Sequence, residues 1–138
     1  MKPVFVDTSF YIAFVNPRDA LHSLAEEIAR NNRQDMLTTE YVLVEVGNWL
    51  CDSGNRQVAV ELIRRCLDDP RTLVIAGSRD VFLQGLELYA HRQDKDWSLT
   101  DCISIEVMQR NHIEDVFSAD RHFEQAGFRL LMPFAAGS

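Results

Sequence analysis

Two aspartates follow short apolar runs, at positions where a carboxylate could take part in chemistry. Asp7 comes directly after residues 4–6 (Val-Phe-Val), and Asp120 comes after residues 116–118 (Val-Phe-Ser) and one alanine. Buried parallel strands read as apolar runs, and their carboxyl ends open onto the ligand crevice of α/β proteins. Taken singly, each aspartate is also explained as the N-cap of a following helix, because Asp is a favoured capping residue.

Glu45 is unusual because it shares a predicted helix face with large apolar side chains. Val42, Glu45, Val46 and Trp49 are spaced at i, i+3, i+4 and i+7, which places them on one side of a helix. A charge on a core-facing stripe is costly unless it is paired or bound to a metal. The alternative is an edge position, with Glu45 turned to water or paired to an arginine.

Asp101 is the fourth acid, and it opens a predicted helix. Ser98 as N-cap with Asp101 three residues later approaches a capping box, and an acid in the first turn is favoured by the helix dipole. On its own, Asp101 would therefore be interpreted as a helix-start residue.

A shared site would explain all four acids at once, whereas the separate explanations by helix caps and an edge position would each have to hold independently. We predict that Asp7, Glu45, Asp101 and Asp120 converge at one rim of a sheet. Such carboxylates repel one another, and a hard cation is the natural compensation. An all-oxygen set suits Mg²⁺ or Mn²⁺ and lacks the Cys or His ligands that favour zinc.

The elements that must position these acids alternate between strand-like and helical patterns. The sequence predicts strands over residues 4–6, 36–38, 73–75, 116–118 and 128–132. It predicts helical segments over residues 8–15, 20–29, 40–51, 56–67, 81–89, 98–111 and 121–126. Alternation of this kind favours a parallel sheet covered by helices.

Length and composition predict one domain with a full core. The chain has 138 residues, of which 46% are hydrophobic, and a domain of that size buries roughly two-thirds of its unfolded surface. We predict a single domain over residues 1–134 and a frayed tail over residues 135–138 (Ala-Ala-Gly-Ser).

The charge and the cysteines limit the classes of protein further. A net charge of −7 argues against nucleic-acid binding by a blanket of positive charge, although a local acidic site can bind a cation that meets phosphate. Cys51, Cys66 and Cys102 form no CxxC pair, so they indicate neither a disulfide framework nor a zinc knuckle and favour a reducing, cytoplasmic location. Asp7 interrupts the N-terminal apolar stretch, which argues against a secretory signal, and the apolar run at residues 10–15 is too short to span a bilayer.

The ordered set of motifs resembles a known family, the PIN domain, and especially its small bacterial members of the VapC toxin type. The motifs that carry this resemblance are residues 7–9 (Asp-Thr-Ser), 39–45, 98–101 (Ser-Leu-Thr-Asp), 118–123 (Ser-Ala-Asp-Arg-His-Phe) and 127–128 (Gly-Phe). The resemblance covers essentially the whole chain. It implies a three-layer α/β/α sandwich with a mostly parallel central sheet and metal-dependent ribonuclease activity.

The resemblance also assigns roles to the acids. Asp7, Glu45, Asp101 and Asp120 match the acidic positions of the family and form the expected catalytic and metal-binding set, with Mg²⁺ or Mn²⁺ as the cofactor. Asp7 and Asp101 are the first candidates for direct ligands, and Asp120 would hold the metal directly or through water. Glu45 would position or deprotonate the attacking water.

Three neighbouring polar residues complete the expected site. Ser9 matches a hydroxyl position that orients a carboxylate. Arg121 and His122 could contact the scissile phosphate, although exposed helix residues are the alternative for both. Some family members carry another carboxylate where this chain has His122, which leaves open whether the site binds one metal ion or two.

The resemblance implies an RNA substrate, a homodimer and, where one exists, a small antitoxin that can insert an arginine near the acids.

The alternative function is a PIN-like module that binds RNA or protein without significant nuclease activity. Two other enzyme classes fit less well. A haloacid dehalogenase-type phosphatase would need a second Asp at the position of Ser9, and a receiver domain would need a lysine where neither Lys2 nor Lys95 stands.

Overall fold

A five-stranded sheet forms the centre of the protein in the computed structural model, which describes residues 2–132. Its strands are β1 (Val4–Val6), β2 (Met36–Thr39), β3 (Thr72–Ile75), β4 (Asp115–Phe117) and β5 (Arg129–Leu130). The strand order is β3-β2-β1-β4-β5, and all four pairings are parallel. The predicted α/β class with a parallel central sheet is therefore confirmed.

Seven helices connect and cover these strands within the described residues. They are α1 (Thr8–Val15), α2 (His22–Asn31), α3 (Glu40–Trp49), α4 (Arg56–Asp68), α5 (Arg79–His91), α6 (Leu99–Arg110) and α7 (Arg121–Gln125). Helix α1 packs against α2 and α3, α3 packs against α4 and α6, and α5 and α7 both pack against α6. None of these helices is long and apolar enough to cross a membrane.

Strand β1 lies at the middle of the sheet because its side chains are apolar on both faces. Val4, Phe5 and Val6 are fully buried, and the strand pairs with β2 on one side and with β4 on the other. The strand order reverses between β1 and β4, and ligands of open α/β sheets bind at the carboxyl ends of the strands beside such a reversal. Asp7 and Asp120 follow these two strands.

Helices α5 and α6 approach each other closely at a glycine. A Cβ atom built on Gly85 would lie 2.2 Å from Cγ1 and 2.9 Å from Cα of Ile103. These distances are below any real carbon–carbon contact, so only glycine allows this approach. The helix that carries Asp101 is packed against its neighbour at this point.

The structure differs from the sequence predictions at the edges of the sheet. The apolar run at residues 73–75 (Leu-Val-Ile) is typical of a buried strand, but Leu73 is exposed, because β3 is an outer strand that pairs with β2 alone among the described strands. Strand β5 is limited to Arg129–Leu130 rather than residues 128–132. The apolar positions of the predicted helix over residues 81–89 indicate a core-facing side, but Phe82, Leu86 and Tyr89 of α5 are partly exposed. The predicted tail, residues 135–138, lies outside the described residues, and the domain boundary stays a prediction.

Candidate active site

All four predicted acids line one cleft at the carboxyl end of the sheet. The cleft has a volume of about 510 Å³, and Asp7, Glu45, Asp101 and Asp120 all border it. Asp7 follows β1, Asp120 follows β4, Glu45 lies on α3 and Asp101 lies in the first turn of α6. The predicted convergence of the four carboxylates at one rim is therefore observed.

Three of the acids also form the helix caps that the sequence allowed. Asp7 caps α1 by accepting a hydrogen bond from the Ser9 backbone N–H at 3.5 Å, and Asp120 caps α7 by accepting from the His122 N–H at 2.9 Å. Asp101 and Ser98 form a complete capping box at the start of α6. Capping and convergence are thus compatible, because helix starts place these carboxylates at the rim.

Asp7 is the most deeply placed of the acids, with 4% of its surface exposed. Burial raises the pKa of this carboxyl from 3.8 to about 7, with further raising by the charges of Asp101 and Asp120 and partial opposition from the hydrogen bond of Ser118. A buried carboxyl beside two others is stabilised either by a proton or by a cation. The environment of Asp7 therefore favours a positive charge in the cleft.

Two serine hydroxyls hold the Asp7 carboxylate in place. Ser118 donates to Asp7 Oδ2 at 2.9 Å and Ser9 donates to the same oxygen at 3.2 Å. The Ser118 hydroxyl also accepts from the Asp120 N–H at 3.0 Å, and Ser9 Oγ accepts from the Ala119 N–H at 3.1 Å. The two serines link the loop after β1 to the loop after β4, which fixes Asp7 relative to Asp120.

Ser118 was not assigned a role from the sequence. Its signal was present, because it stands at the end of a strand two residues before an acid, much as Ser9 stands two residues after one. Recognising it required the pairing of β1 with β4, which places Ser118 beside Asp7.

His122 bridges two of the acids. Its Nδ1 lies 2.9 Å from Asp101 Oδ2 and 3.2 Å from Asp120 Oδ1. Partial burial opposes protonation of the ring, but the hydrogen bond to Asp101 and the charges of Asp120 and Asp101 outweigh it and raise the pKa of His122. His122 is therefore part of the acidic cluster rather than an exposed helix residue, whereas Arg121 is exposed beside it.

Glu45 and Trp49 correct the predicted core stripe of α3. Val42 and Val46 are fully buried as expected, but Glu45 is half-buried at the cleft and Trp49 is 69% exposed. Trp49 is the last residue of α3, so the face that packs in the core at the start of the helix extends beyond the core at its end. The expected core position of Trp49 was wrong.

The side chains of the cleft fit a divalent cation. Among the described residues, Asp101, Asp120 and His122 each offer a ligand atom within 4.8 Å of the others. Asp7 and Glu45 border the same cleft outside that group. Carboxylate oxygens are the ligands that Mg²⁺ and Mn²⁺ prefer, and the buried Asp7 supplies a further negative charge. The carboxylates of the cleft therefore suit a hard cation, while Nδ1 of His122 is engaged with Asp101 and Asp120.

A second cavity of about 570 Å³ contains none of the four acids. Its lining includes Phe10, Tyr11 and Leu62, between α1 and α4. Because the four predicted acids converge in the first cleft and none of them lines this cavity, the chemistry of the chain is assigned to the acidic cleft.

Comparison with known proteins places the chain in a family. Residues 4–129 match the PIN domain family. The chain is 28% identical over 130 residues to the 23S rRNA-specific endonuclease VapC20 of Mycobacterium tuberculosis, covering 94% of this chain and 98% of that protein. The crystal structure of M. tuberculosis VapC20, described as a Sarcin-Ricin loop cleaving toxin, superposes with a TM-score of 0.86 at 27% identity, over 94% of this chain and 99% of that one.

More distant structures share the fold. DNA-bound VapBC from Salmonella typhimurium superposes with a TM-score of 0.66 at 13% identity, covering 94% of this chain and 97% of that one. The match to the PIN domain spans nearly all of the described residues, and the likeness to VapC20 extends over the same length. The chain therefore belongs to the PIN domain family, as a VapC-like member.

Proposed function

We propose that this protein is an endoribonuclease that hydrolyses a phosphodiester bond of RNA at the acidic cleft with the help of Mg²⁺ or Mn²⁺. The observation that carries the proposal is the convergence of four carboxylates in one cleft, with Asp7 buried among them. The predicted class, a PIN toxin ribonuclease, is confirmed by the likeness to VapC20. Because VapC20 is a 23S rRNA-specific endonuclease, a structured loop of ribosomal RNA is the proposed substrate class.

The four acids have different proposed roles because they occupy different positions in the cleft. We assign the cation to Asp7, Asp101 and Asp120, with Glu45 at the cleft wall able to bind the cation or to orient and deprotonate the attacking water. A divalent cation, when bound, activates water for in-line attack and offsets the charge that gathers on the phosphoryl oxygens.

The remaining polar residues position the acids. Ser9 and Ser118 hold the Asp7 carboxylate through hydrogen bonds to Oδ2, which preserves its orientation when it ionises. His122 holds Asp101 and Asp120 together through Nδ1. Arg121 is exposed at the edge of the cleft beside Asp120, where its guanidinium can meet a substrate phosphate.

The proposals about partners rest on the resemblance to VapC toxins. We propose a homodimer, which sedimentation of the purified protein tests, and an antitoxin that inserts an arginine among the acids. We also propose a cytoplasmic location, because ribosomal RNA is found there. Expression of the chain alone should arrest bacterial growth, and expression of the Asp101→Asn variant should not.

Cleavage of RNA by purified variants tests the proposed activity. Asp7→Asn and Asp101→Asn should lower the rate by at least about 100-fold, because each removes a charge that holds the cation. Asp35→Asn is the matched control, since Asp35 is an exposed acid that pairs with Arg71 away from the cleft. The substrate is an RNA stem–loop with the sequence of the sarcin–ricin loop, with Mn²⁺ or Mg²⁺ present and with EDTA.

Two results would contradict the proposal. Cleavage that continues unchanged in EDTA would exclude a role for the cation. Equal cleavage by Asp101→Asn and wild type would exclude the acidic cleft as the active site. Binding of RNA without any cleavage, by wild type in either metal, would favour the alternative of a PIN-like binding module.

A further inference from the structure

Trp49 is a large aromatic residue exposed beside the acidic cleft. Its side chain is 69% exposed at the end of α3, one helical turn after Glu45 and on the same face. A tryptophan at such a position contributes little to the core, and its exposed aromatic face is available for a planar group of a ligand to stack on. The other tryptophan, Trp97, is buried and donates a hydrogen bond to Gln125 at 3.0 Å.

Trp49 stands between the acidic cleft and a neighbouring cavity. It borders both the cleft of about 510 Å³ that holds the acids and a cavity of about 630 Å³ that includes Asn16, Arg18 and Asn55. A further cavity includes Arg121 and shares Ser9, Ala119 and Asp120 with the cleft. The cleft therefore adjoins both of these cavities, which share no lining residue with each other, and we call the three together a track: the acids line its middle cavity, Arg18 lines one end cavity, Arg121 lines the other, and Trp49 lies where the cleft meets the cavity of Arg18.

The arginines at the two ends of this track are available to an anion. Arg18 and Arg121 are exposed, and neither forms an ion pair with a described residue. The chain carries a net charge of −7, so a polyanion gains little from the protein as a whole. Stacking on an aromatic side chain supplies affinity that does not depend on net charge.

We propose that Trp49 is a stacking platform for an unpaired RNA base next to the scissile phosphate, with Arg18 contacting the backbone beyond it. The inference rests on the proposed ribonuclease function and adds a substrate-positioning residue to it. RNA recognition commonly targets unpaired bases of loops, which stack on aromatic side chains. A base held on Trp49 places the adjoining phosphate toward Glu45 and the other acids of the cleft.

This role predicts a preference for RNA with unpaired bases. In a paired helix the bases stack on one another and cannot reach an indole at the side of the cleft. The wild-type protein should therefore bind a stem–loop more tightly than a fully paired RNA of the same length.

Substitutions of Trp49 separate stacking from general apolar contact. Trp49→Ala and Trp49→Leu should weaken binding of the stem–loop by roughly 5- to 100-fold, and Trp49→Phe should stay within about threefold of wild type, because Phe keeps an aromatic face. Val44→Ala is the matched control, since Val44 is 61% exposed on the same helix but does not border the cleft. Binding is measured in the Asp101→Asn background so that the RNA stays intact, and KM and kcat are measured in the active protein.

Tryptophan fluorescence gives a second readout that a purely structural role would not produce. Because Trp97 is buried, quenching of the red-shifted, solvent-exposed emission on RNA addition reports Trp49. We expect quenching by the stem–loop in the Asp101→Asn protein and its loss in the protein that also carries Trp49→Phe.

Several results would contradict the stacking role of Trp49. Unchanged stem–loop affinity in Trp49→Ala would overturn the stacking role, and so would equal affinities of Trp49→Leu and Trp49→Phe. In either case, cleavage of RNA by the wild type would still support the ribonuclease function. Loss of self-association by Trp49→Ala in sedimentation, with RNA affinity retained, would assign Trp49 to an interface between copies and also overturn the proposal. A wild type that neither binds nor cleaves RNA would overturn the ribonuclease function and the stacking role together.

Discussion

At the scale of single residues, Asp7 is held in an environment that disfavours its own charge. It is 4% exposed, and burial raises its pKa to about 7. The hydrogen bonds from Ser118 and Ser9 lower the cost of ionisation without removing it. A carboxylate in this state gains more from a cation than an exposed carboxylate does, because the cation replaces lost solvation.

The raised pKa of Asp7 predicts how stability depends on pH in the metal-free protein. The folded-state pKa of about 7 lies above the ordinary value of 3.8, so the folded protein binds a proton there that the unfolded chain has already released. Stability from this group is fully present below about pH 4 and is lost as the pH rises through about 7, up to about 4 kcal/mol in total. Urea unfolding in EDTA at pH 5, 6, 7 and 8 measures this loss.

Asp7→Asn isolates the effect of the one carboxyl. The amide does not ionise, so the variant should lose less stability than wild type between pH 5 and pH 8 and should be the more stable protein at pH 8. Asp35→Asn, at an exposed acid, should follow the wild-type profile. Identical profiles for Asp7→Asn and wild type would contradict the raised pKa.

The acids of the site were predictable from the sequence, but their supporting contacts were not. Each acid follows a strand or opens or lines a helix, which is local information. The hydrogen bond from Ser118 to Asp7 joins residues 111 positions apart, and the contact of His122 with Asp101 depends on where α7 sits relative to α6. Such contacts depend on tertiary packing, which spacing in one sequence does not encode.

At the scale of elements, the packing of α5 on α6 fixes the helix that carries Asp101. These two helices meet at Gly85, where a Cβ atom would collide with the side chain and backbone of Ile103. The backbone of α6 leaves no room for a larger residue at position 85, because the added Cβ would lie 2.9 Å from the Cα of Ile103. A larger residue at 85 would therefore separate the helices.

Gly85→Ala should destabilise the protein by about 1–3 kcal/mol, because overpacking outweighs the gain in helix propensity. Gly47→Ala is the matched control, since Gly47 also lies within a helix and its added Cβ would meet only Ile63 Cδ1, at 3.9 Å. That control should be neutral or more stable by up to about 1 kcal/mol. Thermal unfolding measures both, and a stable Gly85→Ala protein would contradict the close approach.

The existence and order of the elements followed from the alternating pattern of strands and helices. The exposure of particular faces did not, as Leu73 and Trp49 illustrate. An apolar residue in a strand or at a helix end gives the same local pattern whether the element is central or peripheral. Only the strand order, with β3 at one edge, and the point where α3 passes the core decide the exposure of these side chains.

At the scale of the whole molecule, the protein is acidic and yet is proposed to act on a polyanion. Its net charge is −7. Among the described residues, the arginines of the track that form no ion pair are Arg18 and Arg121. Long-range attraction therefore contributes little to RNA binding, and the cation, the two arginines and base stacking must provide most of it.

This distribution of charge predicts a shallow dependence of RNA binding on salt. Two phosphate contacts to a single-stranded loop correspond to a slope of about −1.4 in a plot of log affinity against log salt concentration. The measurement is the affinity of the Asp101→Asn protein for the stem–loop at constant Mn²⁺ and increasing KCl. A slope steeper than about −4 would indicate many more phosphate contacts and would contradict the proposed track.

The central place of β1 also determines when during synthesis the protein can act. Asp7 leaves the ribosome well before its partner Ser118 and the fourth acid, Asp120, which are made more than 100 residues later. A nascent chain that stops before β4 has neither the strand that pairs with β1 nor the carboxylate that completes the cluster. The ribosome that makes this protein is therefore not exposed to an assembled cleft until nearly all of residues 4–129 have been translated.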